Sequence, residues 1–257
     1  MQVNVVTAVH TSHATFLARA WESLQRQSHD DWIWLVQVDG PAGDAAVVLR
    51  ALDACGAAED KRVEVAAHGT REGPAVTRNI ALARGIAPLV QNVDADDELE
   101  PDALAILADA LAARPGAGFA MGHARDLLPD GVLREFRLPV ADGVLSRGVL
   151  LDRWVTDGAG YRLPVHPAGA MWRRSLLVRL GGWSALRGME DTGLLMAGSA
   201  SAEGILVSEP TLRYRRHPAQ CSTEPSPFNA RDCQVALVRQ RAAILRSLPA
   251  WSEQAAA

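Results

Sequence analysis

Short β-branched runs alternate with helical periodicities through the first hundred residues, and that alternation restricts the fold more than any single motif. VNVVTAV at 3–9 is a compact apolar run that reads as a buried strand. Leu17, Ala20, Trp21 and Leu24 then recur at i, i+3, i+4 and i+7, one face of a helix. WIWLVQV at 32–38 predicts a second strand, ending in the turn Asp39-Gly40-Pro41. A helix over Ala45–Leu52, a strand over Val63–Ala66 and a helix over Thr77–Arg84, with Gly85 as its C-cap, continue the pattern. PLVQNV at 88–93 is the next strand and runs into Asp94-Ala95-Asp96-Asp97. Pro101 is placed to open a helix with Leu104, Leu107, Ala108 and Leu111 on one side, closed by Pro115-Gly116. This order predicts an α/β fold, a mostly parallel sheet flanked by helices on both faces. Open sheets of that kind bind ligands beyond the carboxyl ends of their strands, where Asp39 and Asp94–Asp97 fall.

The second half is less regular. Val132–Leu138 reads as a strand or hairpin arm, and Leu145–Trp154 and Arg174–Leu180 as helices, the latter stopped by Gly181-Gly182. Residues 204–207, GILV, read as a short strand, and Asn229–Leu248 as a long final helix followed by a frayed tail, Trp251–Ala257. A soft boundary near residue 115 divides the 257 residues into 1–115 and 116–257, two halves of a single domain.

The net charge of −4 and a single lysine, Lys61, argue against a sequence-independent grip on nucleic acid, which needs a basic surface. No apolar stretch approaches the roughly 20 residues that span a bilayer, and no basic region precedes the first apolar run. A soluble, cytoplasmic protein is the expectation. Cys55, Cys221 and Cys233 are odd in number and far apart, which fits a reducing compartment rather than a disulfide or zinc framework. The Ala-, Arg- and Val-rich, Lys-poor composition suggests a bacterial source of high GC content.

Four constellations carry chemistry. In an extended segment Asp94 and Asp96 would share a face, and two converging carboxylates are relieved by a hard divalent cation such as Mg²⁺ or Mn²⁺. The same residues read equally as an acidic loop capping the following helix. Gly73-Pro74-Ala75-Val76-Thr77-Arg78-Asn79 leads small residues into a helix, with Arg78 available for a phosphate or a carboxylate, or simply solvated. Glu190 and Asp191 follow a glycine loop and could supply a general base, or Asp191 could cap a helix over Thr192–Ala197. Tyr214-Arg215-Arg216-His217 offers an imidazole for a metal and arginines for phosphate oxygens, or is a basic surface strand.

Taken in order, these blocks resemble the family 2 glycosyltransferases of the nucleotide-diphospho-sugar transferase (GT-A, Rossmann-like) fold, from about Val3 to about Ser222. VVTAVH and the helix Ser23-Leu24-x-x-Gln27 resemble the family's first strand and helix. VQVDGPAGD resembles its second-strand Asp-Asp-Gly-Ser motif, with Asp39 matching the second Asp and Val38 replacing the first. GPAVTRNIALARG resembles the Gly-x-x-x-Ala-Arg-Asn stretch, and NVDADDELEPDAL matches the Asp-x-Asp motif closely. AMWRRSLLVRLGGW resembles the acceptor-side segment, GMEDTGLLM the Glu-Asp motif and YRRHPAQCS the late Tyr-Arg-x-His segment. Ala8 stands where Pro is usual, and His10-Thr11 where Tyr-Asn is usual.

The resemblance implies inverting, metal-dependent transfer of a sugar from a nucleotide-diphospho-sugar, with UDP as the expected nucleotide and Mn²⁺ or Mg²⁺ as the cation. It implies that Ala8, Val9, Asp39, Arg78 and Asp94 bind the donor. Asp96 would bind the metal, with Asp94 by its water shell and His217 approaching it, and Asp191 would be the catalytic base with Glu190 beside it. The acceptor is a small molecule or glycan, for which Trp172, Trp183, His166 and Tyr161 lie in the appropriate half. Homodimerisation is left open. A nucleotidyltransferase would need a basic, glycine-rich loop after the first strand, and HTSHATF has neither Gly nor Lys. A non-catalytic sugar-nucleotide binder would be expected to have lost one of the two acidic motifs, and both are present.

Overall fold

A computed structural model describes residues 1–157, 160–218, 220 and 230–253. Among these, β1 (Val3–Val9), α1 (Leu17–Gln25), β2 (Trp32–Val38), α2 (Ala42–Asp53), β3 (Val63–Ala67), α3 (Pro74–Arg84) and β4 (Leu89–Asn92) reproduce the expected alternation. They are followed by β5 (Glu98–Leu99), α4 (Ala103–Ala113), β6 (Ala117–Leu127), β7 (Leu133–Arg134), β8 (Gly143–Leu145) and α5 (Val149–Arg153). The remainder is β9 (Val155–Asp157), β10 (Gly160–Arg162), β11 (Met171–Arg173), α6 (Arg174–Arg179), α7 (Glu190–Ser201), β12 (Glu203–Arg215) and α8 (Ala230–Ser247).

The main sheet runs β3-β2-β1-β4-β11-β6-β12-β5. β1 to β4 pair in parallel, β11 inserts antiparallel between β4 and β6, and β12 returns parallel to β6. The sheet therefore continues through the loop near residue 115. Alternation along β1 sends Val3 and Val5 to one face and Val6 to the other. Apolar faces of α1, α2 and α4 cover the first, and α3, α6, α7 and α8 cover the second. The strand order reverses between β1 and β4, which makes their carboxyl ends the crevice of the sheet.

Two polar devices fix that crevice. Thr7 Oγ1 accepts a hydrogen bond from Trp34 Nε1 at 2.8 Å and donates to the Val93 carbonyl at 2.8 Å, joining β2, β1 and the residue before Asp94. The Ser-Leu-x-x-Gln helix supplies the second. Ser23 Oγ accepts from Leu99 N–H at 3.1 Å, and Gln27 donates to the Glu100 carbonyl at 2.7 Å while its Oε1 accepts from Leu104 N–H at 3.0 Å. Gln27 thereby satisfies an otherwise orphaned amide at the start of α4.

Several expectations are corrected. Pro101 lies in a turn, and α4 begins at Ala103. Gly85 is the C-cap of α3, as expected, in extended backbone, and its missing Cβ matters because an added one would lie 2.2 Å from Asn4 Oδ1. Leu145 belongs to β8, so the helix expected from it shortens to α5. Of Val132–Leu138 only Leu133–Arg134 pairs as a strand. The tail is anchored at its start: Trp251 is buried, its N–H donates to the Ser201 carbonyl at 2.8 Å, and Glu253 pairs with Arg173 at 2.6 Å. Cys221, Asn229 and residues 254–257 lie outside the described residues, as does the side chain of Tyr161.

Replacing Thr7 with Val removes both bonds of the relay and leaves the buried Trp34 indole N–H unpaired. Urea unfolding should show Thr7→Val less stable by about 1–3 kcal/mol.

Candidate active site

The acidic segment after β4 is a tight turn, with Asp97 N–H donating to the Asp94 carbonyl at 3.1 Å. Alternate side chains share a face only in extended backbone, so Asp94 and Asp96 are held by different partners. Asp94 Oδ1 accepts from Arg78 Nη2 at 2.6 Å, and Asp96 Oδ2 lies 2.8 Å from His217 Nε2. Asp97 is fully buried, and one of its oxygens accepts from Arg215 N–H at 2.9 Å. Burial, then the neighbouring Asp94 and Asp96, pushes its carboxyl well above the usual range.

Arg78 is the buried cation around which the acids gather. It sits on the fifth residue of α3, whose start is set by Gly73 at φ +89° and Pro74 in the first turn. Asp39 fixes that start: its carboxylate accepts from Glu72 N–H at 2.7 Å and Gly73 N–H at 3.1 Å. Its own N–H donates to the Val9 carbonyl at 2.8 Å, so Ala8, Val9 and Asp39 meet where β1 and β2 end. Besides Asp94, Arg78 Nη1 lies 3.4 Å from Asp191 and 3.6 Å from Glu190. Burial opposes its charge, but Asp191, Asp94 and Glu190 outweigh that and raise its pKa. Arg78 Nε and Nη1 and Glu190 Oε2 are buried without a hydrogen-bond partner in the protein, an arrangement suited to added solvent or ligand groups.

Glu190 and Asp191 begin α7, so Asp191 is inside the first turn and does not cap the helix. Its Oδ1 instead accepts from Trp183 Nε1 at 2.9 Å. Asn79, next to Arg78, places that indole: its amide donates to the Trp183 carbonyl at 2.9 Å and its Oδ1 accepts from Trp183 N–H at 2.9 Å. Gly182, at φ +67°, permits the approach, since a Cβ there would lie 2.1 Å from Asn79 Oδ1. Burial raises the Asp191 carboxyl to about 7, reinforced by Asp94 and Glu190 and opposed by Arg78 and Trp183. Its side chain is 17% exposed, enough to meet a ligand. Asp94 moves the other way, because Arg78 more than offsets its burial.

Two histidines join the site. His166, expected as an aromatic surface for an acceptor, is half-buried against Tyr214 with ring centroids 4.3 Å apart. Burial holds its imidazole down to about 4 despite the pull of Asp94, so it is neutral at pH 7. His13, which no sequence motif marks, brings a ligating atom within 4.8 Å of those of Asp96 and His217. These three residues fit a divalent cation, and Asp94 stands outside the set. Trp172 does not reach the site; it packs on Phe119 in the core, ring centroids 5.1 Å apart.

The model of the family described as "Glycosyl transferase family 2" matches residues 4–132. No curated protein matches the chain in sequence. Solved structures of S. aureus TarS residues 1–349 are similar in fold. The one in complex with UDP-GlcNAc shows 14% identity and a TM-score of 0.73, over 100% of this chain and 69% of that one. The one in complex with UDP shows 15% identity and a TM-score of 0.69, over 96% and 67%. The chain thus spans about two-thirds of the length of these structures.

Removing Arg78 strands three carboxylates in a buried site. Arg78→Met should cost about 3–5 kcal/mol in denaturant unfolding at pH 7. Without the cation the folded-state carboxyl pKa values rise above their unfolded values. The folded variant then binds more protons than its unfolded chain, and its deficit should shrink as pH falls from 7 toward 5.

Proposed function

Since the chain belongs to glycosyl transferase family 2, we propose that it moves a sugar, with inversion, from a uridine-diphospho-sugar to an acceptor hydroxyl or amine. The observation that carries this reading is the shared guanidinium: Arg78 joins Asp94 of the acidic turn to Asp191 at the mouth of α7. A donor-side carboxylate and a base-like carboxylate are thereby held by the two terminal nitrogens of one cation. The UDP and UDP-GlcNAc complexes of the TarS structures support a uridine nucleotide as the carrier of the donor sugar.

In this reading Asp39, Ala8 and Val9 line the base and ribose end of the donor. Arg78 supports the nucleotide pocket, and Asp94 stands by the ribose and the water shell of the cation. Asp96 and His217 hold that cation, Mn²⁺ or Mg²⁺, which when bound supplies Lewis-acid neutralisation of the leaving diphosphate. Asp191 takes the proton from the acceptor as the new oxygen– or nitrogen–carbon bond forms and the anomeric bond to the diphosphate breaks. A carboxyl raised to about 7 by burial is well matched to this duty, because a base titrating near the working pH combines availability with basicity. Glu190, buried beside it, keeps the Asp191 proton affinity high. Trp183 and Asn79 orient the base rather than touch the reacting atoms. Trp183 is itself buried in the core, so its ring braces the base from within the protein and is not an open aromatic face for an acceptor.

The test is release of nucleoside diphosphate from UDP-, GDP- and dTDP-sugars against an acceptor panel, with the product's anomeric configuration read by NMR. Asp191→Asn should bind the uridine donor as the parent does and lose transfer by about 10²–10⁴-fold. Near-normal turnover would remove Asp191 from the role. Asp191 must be ionised to accept a proton, so kcat/KM should fall as pH drops through about 7. Trp183→Phe withdraws a donor that stabilises the carboxylate, so its acid limb should lie at higher pH than the parent's.

A further inference from the structure

We propose that His13 is a third protein ligand of the cation, giving the site two imidazoles and one carboxylate and a preference for Co²⁺ or Zn²⁺ over Mg²⁺. The inference rests on the reading of Asp96 and His217 as metal ligands and deepens it by one residue and by metal class. His13 comes from a 3₁₀ turn, Thr11–Phe16, that directly follows β1. The turn carries it to the acidic loop after β4 and the segment leaving β12, which reach the same point from distant parts of the chain. One ligating atom from each of His13, Asp96 and His217 falls within 4.8 Å of the others, and all three are half-buried.

The rings are oriented by their neighbours. His217 packs on Phe16 with centroids 4.7 Å apart and meets His13 edge-on at 6.0 Å. Ser12 Oγ lies 3.1 Å from His13 Nδ1 and 2.8 Å from His10 Nδ1, so the His13 ring is braced from outside the site. Outer contacts of that kind are what fix an imidazole ligand's orientation. The close Asp96–His217 pair, 2.8 Å apart, is a place where a cation can take over from a proton.

The donor set then decides the metal. Mg²⁺ seeks oxygen ligands and keeps its waters, whereas imidazoles suit the later first-row ions, whose affinity rises from Mn²⁺ through Co²⁺. A site of Asp96 and Asp94 alone would favour Mg²⁺, but the Asp94 carboxylate is engaged by Arg78.

The test uses the full chain without nucleotide. Co²⁺ binding is followed by its visible absorption, and Mg²⁺ by competition. The parent should bind Co²⁺ at least about tenfold more tightly than Mg²⁺, and His13→Gln should lose about ten- to a hundredfold of the Co²⁺ affinity, the scale on which metal-site residues act. His13 is in a surface turn, so far-UV circular dichroism and thermal melting of the variant should match the parent. A Co²⁺ loss smaller than about tenfold in a folded His13→Gln, with Asp96→Asn and His217→Gln both losing binding, would overturn the role of His13 and leave the metal reading standing. If Asp96→Asn and His217→Gln also bind as the parent does, or if the parent binds no Co²⁺ with or without UDP, the metal reading falls with it.

Discussion

One buried guanidinium organises the crevice. Arg78 faces Asp94, Glu190 and Asp191 from a single position on α3. Three carboxylates around one cation cannot all be fully neutralised, and the structure resolves the excess by unequal distance. Asp94, in direct contact, keeps its charge, whereas Asp191, farther away and mostly shielded from water, holds a proton far more readily. Two identical side chains acquire different proton affinities from one cation, the usual way in which a site divides acid and base duties.

The rest of the fold serves to hold that guanidinium and its partners still. The Trp34–Thr7–Val93 relay fixes the end of β4, and Asp39 fixes the first turn of α3 through the backbone of Glu72 and Gly73. Asn79 carries the constraint onward to Trp183, whose indole reaches Asp191. Asp39 in particular serves a structural end with both carboxylate oxygens, so any contact it makes with a donor is added to a group already positioned. Such preorganisation costs stability, visible here as unpartnered buried atoms on Arg78, Glu190 and Asp97.

The first half was legible because each element shows the periodicity of a face that meets solvent or the sheet. Leu104, Leu107, Ala108 and Leu111 are buried as their spacing implies. The second half obscured its own pattern. β6 is alanine- and glycine-rich, which reads as loop, yet Gly118 and Gly122 are small because added Cβ atoms would lie 2.3 Å from Leu176 and 2.5 Å from the Glu209 carbonyl. α7 is buried on nearly every side, so it has no amphipathic stripe to reveal its length. β12 runs thirteen residues, far beyond the four apolar ones that mark it, with its register broken around Pro210. His13 left no signal at all, since a histidine in a turn acquires meaning only from what stands opposite.

What the sequence by itself determined is the alternation that builds the sheet, the family, and the short list of charged residues placed at strand ends and helix starts. Only the tertiary structure decided which of those residues share a partner. Asp94 and Asp96, two positions apart, are separated by a turn and assigned to Arg78 and His217, while Asp94 and Asp191, nearly a hundred residues apart, are joined through one side chain. The reason is that charge interactions depend on distance and burial, and neither is a property of spacing along the chain.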